Sequence, residues 1–184
     1  MATRDFDPLR LEVQAFAKEA GQLGGRWPLL QLVRLADSAI DGAEANRHDA
    51  EVAWSARGEQ RAAPGGEPQT WLHLKAATAV SLECQRCLQP MAVALQIDRG
   101  FLFVHGEDAA AQLDADGEDD VLALTRSLDL RELVEDEMLL GLPIVPRHEV
   151  CPQPLPVRPN DPLAEEKPNP FAALAILKRG RPAN

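Results

Sequence analysis

The sequence predicts an α+β fold. Three observations carry that reading: apolar residues at helical spacing near the start, a long central stretch where they alternate with polar ones, and a capped helix after that stretch. The expected sheet is antiparallel or a partly open barrel, with an acidic helix packed on it. The chain has 184 residues, 45% of them hydrophobic and 26% charged, which is enough to build one core of ordinary composition.

Asp7-Pro8 reads as a helix start, Asp7 capping and Pro8 in the first turn. Leu9, Val13, Phe16, Ala17 and Ala20 follow at helical spacing, and Gly21, Gly24 and Gly25 are expected to end this helix. Pro28 is expected to open a second short helix with Leu29, Leu32, Val33 and Ala36 on one face.

From Asp49 to Val104 the period becomes two. Val52, Trp54 and Ala56 alternate with polar residues, and Pro64-Gly65-Gly66 marks a turn. Leu72, Leu74, Ala76, Thr78, Val80, Leu82 and Cys84 then share one face of a long strand. Met91, Val93, Leu95 and Ile97 alternate in the next, which runs on to Phe101 and Phe103. Such a pattern describes an antiparallel meander, buried on one side.

Residues 107–120 hold seven acidic residues and no basic one. Repulsion and the shortage of apolar side chains predict a mobile acidic loop there, which could dock on a basic partner. Asp129-Leu130-Arg131-Glu132 next reads as a capping box. Leu130, Leu133, Val134 and Met138 form the stripe of this helix, with Glu135, Asp136 and Glu137 on its solvated face and Gly141 and Pro143 at its end. A single domain over 1–150 is expected, followed by a tail over 151–184. Seven prolines in residues 152–170 make that tail extended. A short amphipathic helix over about 170–179 closes it, with Phe171, Leu174, Ala175 and Leu177 on one face.

The net charge is −10, and residues 107–149 alone account for −10. A broad basic surface for gripping phosphate backbones is not evident. No G-x-x-x-x-G-K-[ST], G-x-G-x-x-G or G-x-S-x-G motif occurs, which argues against nucleotide-dependent enzymes and serine hydrolases. Apolar runs are too short for a transmembrane helix, and the start of the chain lacks the apolar stretch of a secretory signal. A cytoplasmic protein with reduced cysteines is expected.

The strongest chemical signal is Cys84-Gln85-Arg86-Cys87. Two thiols at this spacing can chelate one tetrahedral metal ion, and His148-Glu149-Val150-Cys151 offers a second pair. Cys84, Cys87, His148 and Cys151 would together hold a structural zinc. The same dithiol could instead do redox chemistry, although such sites sit at a helix N-terminus and a strand is expected after Pro90. Plain packing of three reduced thiols is the third reading. His48, His73 and His105 stand alone, with no ligand spacing.

In combination these pieces resemble a known family. Residues 80–90, VSLECQRCLQP, are similar to the signature of the YceD family, the large ribosomal RNA subunit accumulation proteins. The resemblance continues through residues 130–146, LRELVEDEMLLGLPIVP, then His148, Cys151 and the closing KPNPFAALAILK of residues 167–178. Asp7-Pro8 and Arg34-Leu35 fit as well. The resemblance implies a non-enzymatic role in synthesis, processing or stability of 23S ribosomal RNA, and no small-molecule substrate. Direct RNA contact would fall to Arg86, Arg99, Lys178, Arg179 and Arg181, whose guanidinium and ammonium groups pair with phosphate. The alternative is an adaptor whose acidic segment holds a basic ribosomal protein. The charge distribution favours this indirect route.

Overall fold

The computed structural model describes residues 5–42, 46–63, 66–117 and 119–152. The expected turn at Pro64-Gly65 and the tail with its helix over 170–179 lie outside the described residues.

Five strands form one open sheet in the order β1-β2-β3-β4-β5. They are β1 (Gln22–Pro28), β2 (Glu51–Arg61), β3 (Gln69–Glu83), β4 (Pro90–Val104) and β5 (Asp120–Ala123). The first four pair antiparallel, with Trp54 opposite Ala76 and Leu72 opposite Phe101. β5 runs parallel to β4, Phe101 opposite Asp120 and Val104 opposite Ala123. The sheet is therefore mixed and open, neither wholly antiparallel nor a barrel. A parallel neighbour needs a crossover, and helix α3 (Glu107–Asp116) supplies it.

Strand alternation puts Val52, Trp54, Leu72, Leu74, Phe101 and Phe103 on one face. That face is covered by α1 (Val13–Lys18), α2 (Val33–Ser38) and α4 (Leu130–Leu140), which bring in Phe16, Leu35, Val134 and Met138. Trp27 stacks on Trp54 at 4.3 Å between ring centroids. The close approach of α1 to β2 requires Gly58, because a Cβ there would lie 2.7 Å from the Phe16 carbonyl oxygen. On the opposite face a smaller cluster joins Trp71, Leu102, Val121 and Ala110 of α3.

Several elements depart from the sequence reading. Where like-charge repulsion predicts an acidic loop over 107–120, the chain forms α3. Glu107 and Asp108 sit in its first turn, where the helix dipole favours them, and Ala109 to Ala111 are strong helix formers. Asp114 accepts a hydrogen bond from the Val121 amide at 3.0 Å, tying the helix to β5. Gly24-Gly25 does not end a helix but lies within β1, drawn onto the edge of β2. Asp7-Pro8 opens only a turn, with Asp7 accepting from the Leu9 amide at 2.9 Å. Leu11 and Leu128 exchange backbone hydrogen bonds, which postpones α1 to Val13. Pro28 closes β1, and a 3-10 turn over Leu29–Gln31 precedes α2.

Asp129 caps helix α4 as predicted, accepting from the Arg131 and Glu132 amides. Its acidic residues do not all face solvent: Glu135 and Glu137 are buried. Glu135 accepts from the Arg34 and Leu35 amides at 2.6 and 3.2 Å and from the Arg34 guanidinium at 3.1 and 3.0 Å. It thereby satisfies the free amides at the start of α2, the task of a cap, from a helix a hundred residues away. Asp136 also pairs with Arg34, at 2.6 Å.

Candidate metal centre

Beyond Ala77, β3 outruns its ladder with β2 and stays paired with β4 as far as Glu83 opposite Pro90. Six residues, Cys84 to Gln89, connect the two strands. The Leu88 amide donates to the Cys84 carbonyl at 2.8 Å, and the Cys84 amide donates to the Gln89 carbonyl at 3.0 Å. Leu88 adopts a positive φ of 58°, uncommon for a residue with a branched side chain. The result is a tight knuckle that turns both cysteines to one side.

The segment after α4 lies against this knuckle. The Gln85 amide donates to the Pro146 carbonyl at 2.9 Å, and the His148 amide donates to Cys84 Sγ at 3.4 Å. Cys84 Sγ and Cys151 Sγ are 4.0 Å apart, and Cys87 Sγ lies 3.4 Å from His148 Nδ1. The donor atoms of Cys84, Cys87, His148 and Cys151 all lie within 4.8 Å of one another. A tetrahedral zinc ion with metal–sulfur bonds of about 2.3 Å spaces its sulfurs about 3.8 Å apart. The separations of 4.0 and 3.4 Å are close to that spacing, and all four donors lie near enough to share one ion. They do not fit a disulfide, whose sulfurs are bonded at about 2.0 Å, and all three cysteines are free thiols.

The electrostatics suit anionic sulfur. Burial pushes the Cys84 thiol up, but the backbone amides of His148, Arg86 and Cys87 directed at its sulfur outweigh burial and hold it down to about 5. Burial pushes the Cys87 thiol up, and the neighbouring sulfurs of Cys151 and Cys84 act in the same direction. A cation between the sulfurs would relieve that crowding. The Arg86 guanidinium is held charged, first by its bond to Cys151. The dithiol sits at a hairpin tip rather than a helix N-terminus, and Cys84 is fully buried. That placement differs from the one expected of a redox pair.

The arginines proposed for RNA contact are differently placed. Arg86 donates to Cys151 Sγ and to the carbonyls of His148 and Glu149. Arg99 pairs with Asp120 and Glu137, each at 3.3 Å. Burial pushes the Glu137 carboxyl up, with Arg99 opposing it. Lys178, Arg179 and Arg181 lie outside the described residues. Sequence reasoning missed a polar cluster on the open sheet face. There Glu59 pairs with Arg57, Arg61 and His73, and Arg61 lies 4.2 Å from the Trp71 ring centre. The Arg61 bond is the main cause holding the Glu59 carboxyl below its ordinary range. Same-face alternation of charge and aromatics in β2 and β3 was the available signal. No helix among the described residues is long and apolar enough to cross a membrane.

Comparison with known proteins adds the family. The profile of "Large ribosomal RNA subunit accumulation protein YceD" matches residues 72–178, which include all four clustered residues. A protein of that name from Haemophilus influenzae is 39% identical over 105 residues, covering 54% of this chain and 60% of the relative. The chain thus spans less than two thirds of that relative's length. No solved structure matches. The match extends over more than half of the sequence, from within β3 through the knuckle and β4 to the segment after α4, and on that basis the chain belongs to the YceD family.

Proposed function

We propose that this protein is a non-enzymatic cytoplasmic factor for the synthesis, processing or stability of 23S ribosomal RNA, and so for assembly of the large ribosomal subunit. We further propose that Cys84, Cys87, His148 and Cys151 hold a structural zinc ion. The family match carries the first reading and the convergence of the four donors carries the second, and the two coincide in the chain. The stretch that matches the family is the stretch whose four sulfur and nitrogen donors converge. A Cys₃His set of this softness and geometry suits zinc, and a site filled by four protein ligands is structural rather than catalytic. Bound there, zinc would clip the β3–β4 knuckle to the segment leaving α4.

A second reading has its own support. Arg86 and Arg99 are engaged within the protein, while residues 107–149 carry a net charge of −10. An adaptor that holds a basic ribosomal protein would use the exposed carboxylates of that segment, not the buried Glu135 and Glu137, and complementary charge would speed the encounter. Ultraviolet crosslinking in growing cells, with sequencing of the attached RNA, separates the two. Discrete peaks on 23S RNA or its precursor are expected from direct contact. Background RNA alone would overturn direct binding and leave the protein partner.

A further inference from the structure

The knuckle contains one charged side chain that the ligand set does not use. Three thiolates and a neutral imidazole around a divalent cation leave a net charge of −1 in a largely buried site. An unpaired buried charge is costly, so such a site calls for a counter-charge. Arg86, between Cys84 and Cys87, is placed to be it.

Its contacts are specific. Nε donates to Cys151 Sγ at 3.0 Å. Nη2 donates to the His148 carbonyl at 2.8 Å and to the Glu149 carbonyl at 3.2 Å. One planar fork therefore joins the first ligand pair to the backbone that carries the second. Exposure makes the choice of sulfur informative. Cys84 and Cys87 are buried, whereas Cys151 is only partly so. Cys151 is also the last of the four in sequence order. The guanidinium lies on the sulfur of the one cysteine that is, as a residue, only partly buried.

We infer that Arg86 is a positioning residue that neutralises the centre and latches Cys151 onto the metal, rather than a phosphate-binding arginine. This rests on the zinc reading above. A lysine cannot replace it fully. An ammonium keeps the charge but lacks the planar fork that reaches a sulfur and two carbonyls together. Partners in the outer shell of a metal site typically change metal affinity by about 10–100-fold.

The test uses the full chain loaded with zinc, in its natural form and as Arg86→Gln and Arg86→Lys. Zinc release to an excess of a chromogenic chelator gives the rate. Limited alkylation followed by peptide mass spectrometry gives the order in which the thiols are lost. Arg86→Gln is expected to bind one zinc ion, to release it about 10–100-fold faster, and to be alkylated first at Cys151. Arg86→Lys is expected to fall between. Release from Arg86→Gln at the natural rate, or alkylation with no preference for Cys151, would overturn the inference and leave the zinc site standing. Should Arg86→Gln fail to fold, Arg86→Lys decides, because release at the natural rate would refute the fork argument. A natural protein that folds but binds no zinc would overturn the metal reading, and this inference with it.

Discussion

The two ends of the β3–β4 hairpin are held by different physics. At one end Leu72, Leu74, Phe101 and Phe103 are buried against Phe16 and the other residues of the helices. At the other, the strands extend past β2, and the turn brings together the four donor atoms proposed to hold zinc, with Arg86 bonded to one of them. Burial is shared among many side chains, each contributing about 1.5–3 kcal/mol, so the loss of one weakens the core without changing its shape. A ligand set is cooperative: three donors without the fourth leave an open, weaker site. On this account the chain should be able to lose its knuckle and keep its sheet.

The largest effect is expected in the core. Phe16 is fully buried and meets Phe6 edge-to-face at 5.1 Å. Phe16→Ala should destabilise the protein by about 3–5 kcal/mol. The melting temperature should fall by roughly 10 °C at about 2–4 °C per kcal/mol. Calorimetry would show this, while zinc content measured well below the transition stays at the natural stoichiometry. Loss of zinc from a still-folded Phe16→Ala protein would show that the two ends are coupled after all.

The mirror experiment removes a ligand. Structural zinc sites draw on the order of 10–16 kcal/mol from four ligands. One thiolate then accounts for roughly 3 kcal/mol, or about a hundredfold in affinity. Cys84→Ser should therefore hold zinc weakly, while its far-ultraviolet circular dichroism matches that of the natural protein. With zinc present, its melting temperature should lie between those of the zinc-loaded and the zinc-free natural protein. Collapse of the whole sheet in Cys84→Ser would break the separation from the other side.

Legibility in the sequence divided along similar lines. The three long strands were readable because alternation is a local property: Val52 to Ala56, Leu72 to Leu82 and Met91 to Ile97 each show it without reference to the rest of the chain. β1 was hidden because Gly24-Gly25 interrupts its pattern and suggests a helix stop. β5 was hidden because four residues, DVLA, are too few to show a period. α3 was misread because a count of charges ignores where they fall along a helix. Asp129 was legible as a cap because its partners are the next two or three amides, whereas Glu135 was not, because the amides it caps belong to Arg34 and Leu35. The candidate centre shows both cases at once. Each ligand pair is a local spacing and could be read. That the two pairs meet was expected from their complementary ligand count, while the means, α4 returning its C-terminal segment to the knuckle, is recorded by no spacing.

The smallest effect expected is also the one that probes the knuckle without touching a ligand. Leu88 is held at φ 58°, in the left-handed region, and its side chain is 58% exposed. That conformation costs a residue with a Cβ roughly 1–2 kcal/mol. Leu88→Gly removes the penalty but adds freedom to the unfolded chain, worth roughly 0.5–1 kcal/mol. The net should be a stabilisation of about 0.5 kcal/mol, since little buried area is lost. The gain should be larger in the zinc-loaded protein, where the closed ligand set enforces the turn, than in the zinc-free protein, where the turn can relax. Melting of both forms of Leu88→Gly beside both natural forms reads this difference. An equal gain with and without zinc would mean that the backbone hydrogen bonds of the hairpin, not the metal, fix the turn. A loss in both would mean that the exposed leucine packs on the knuckle and holds it in place.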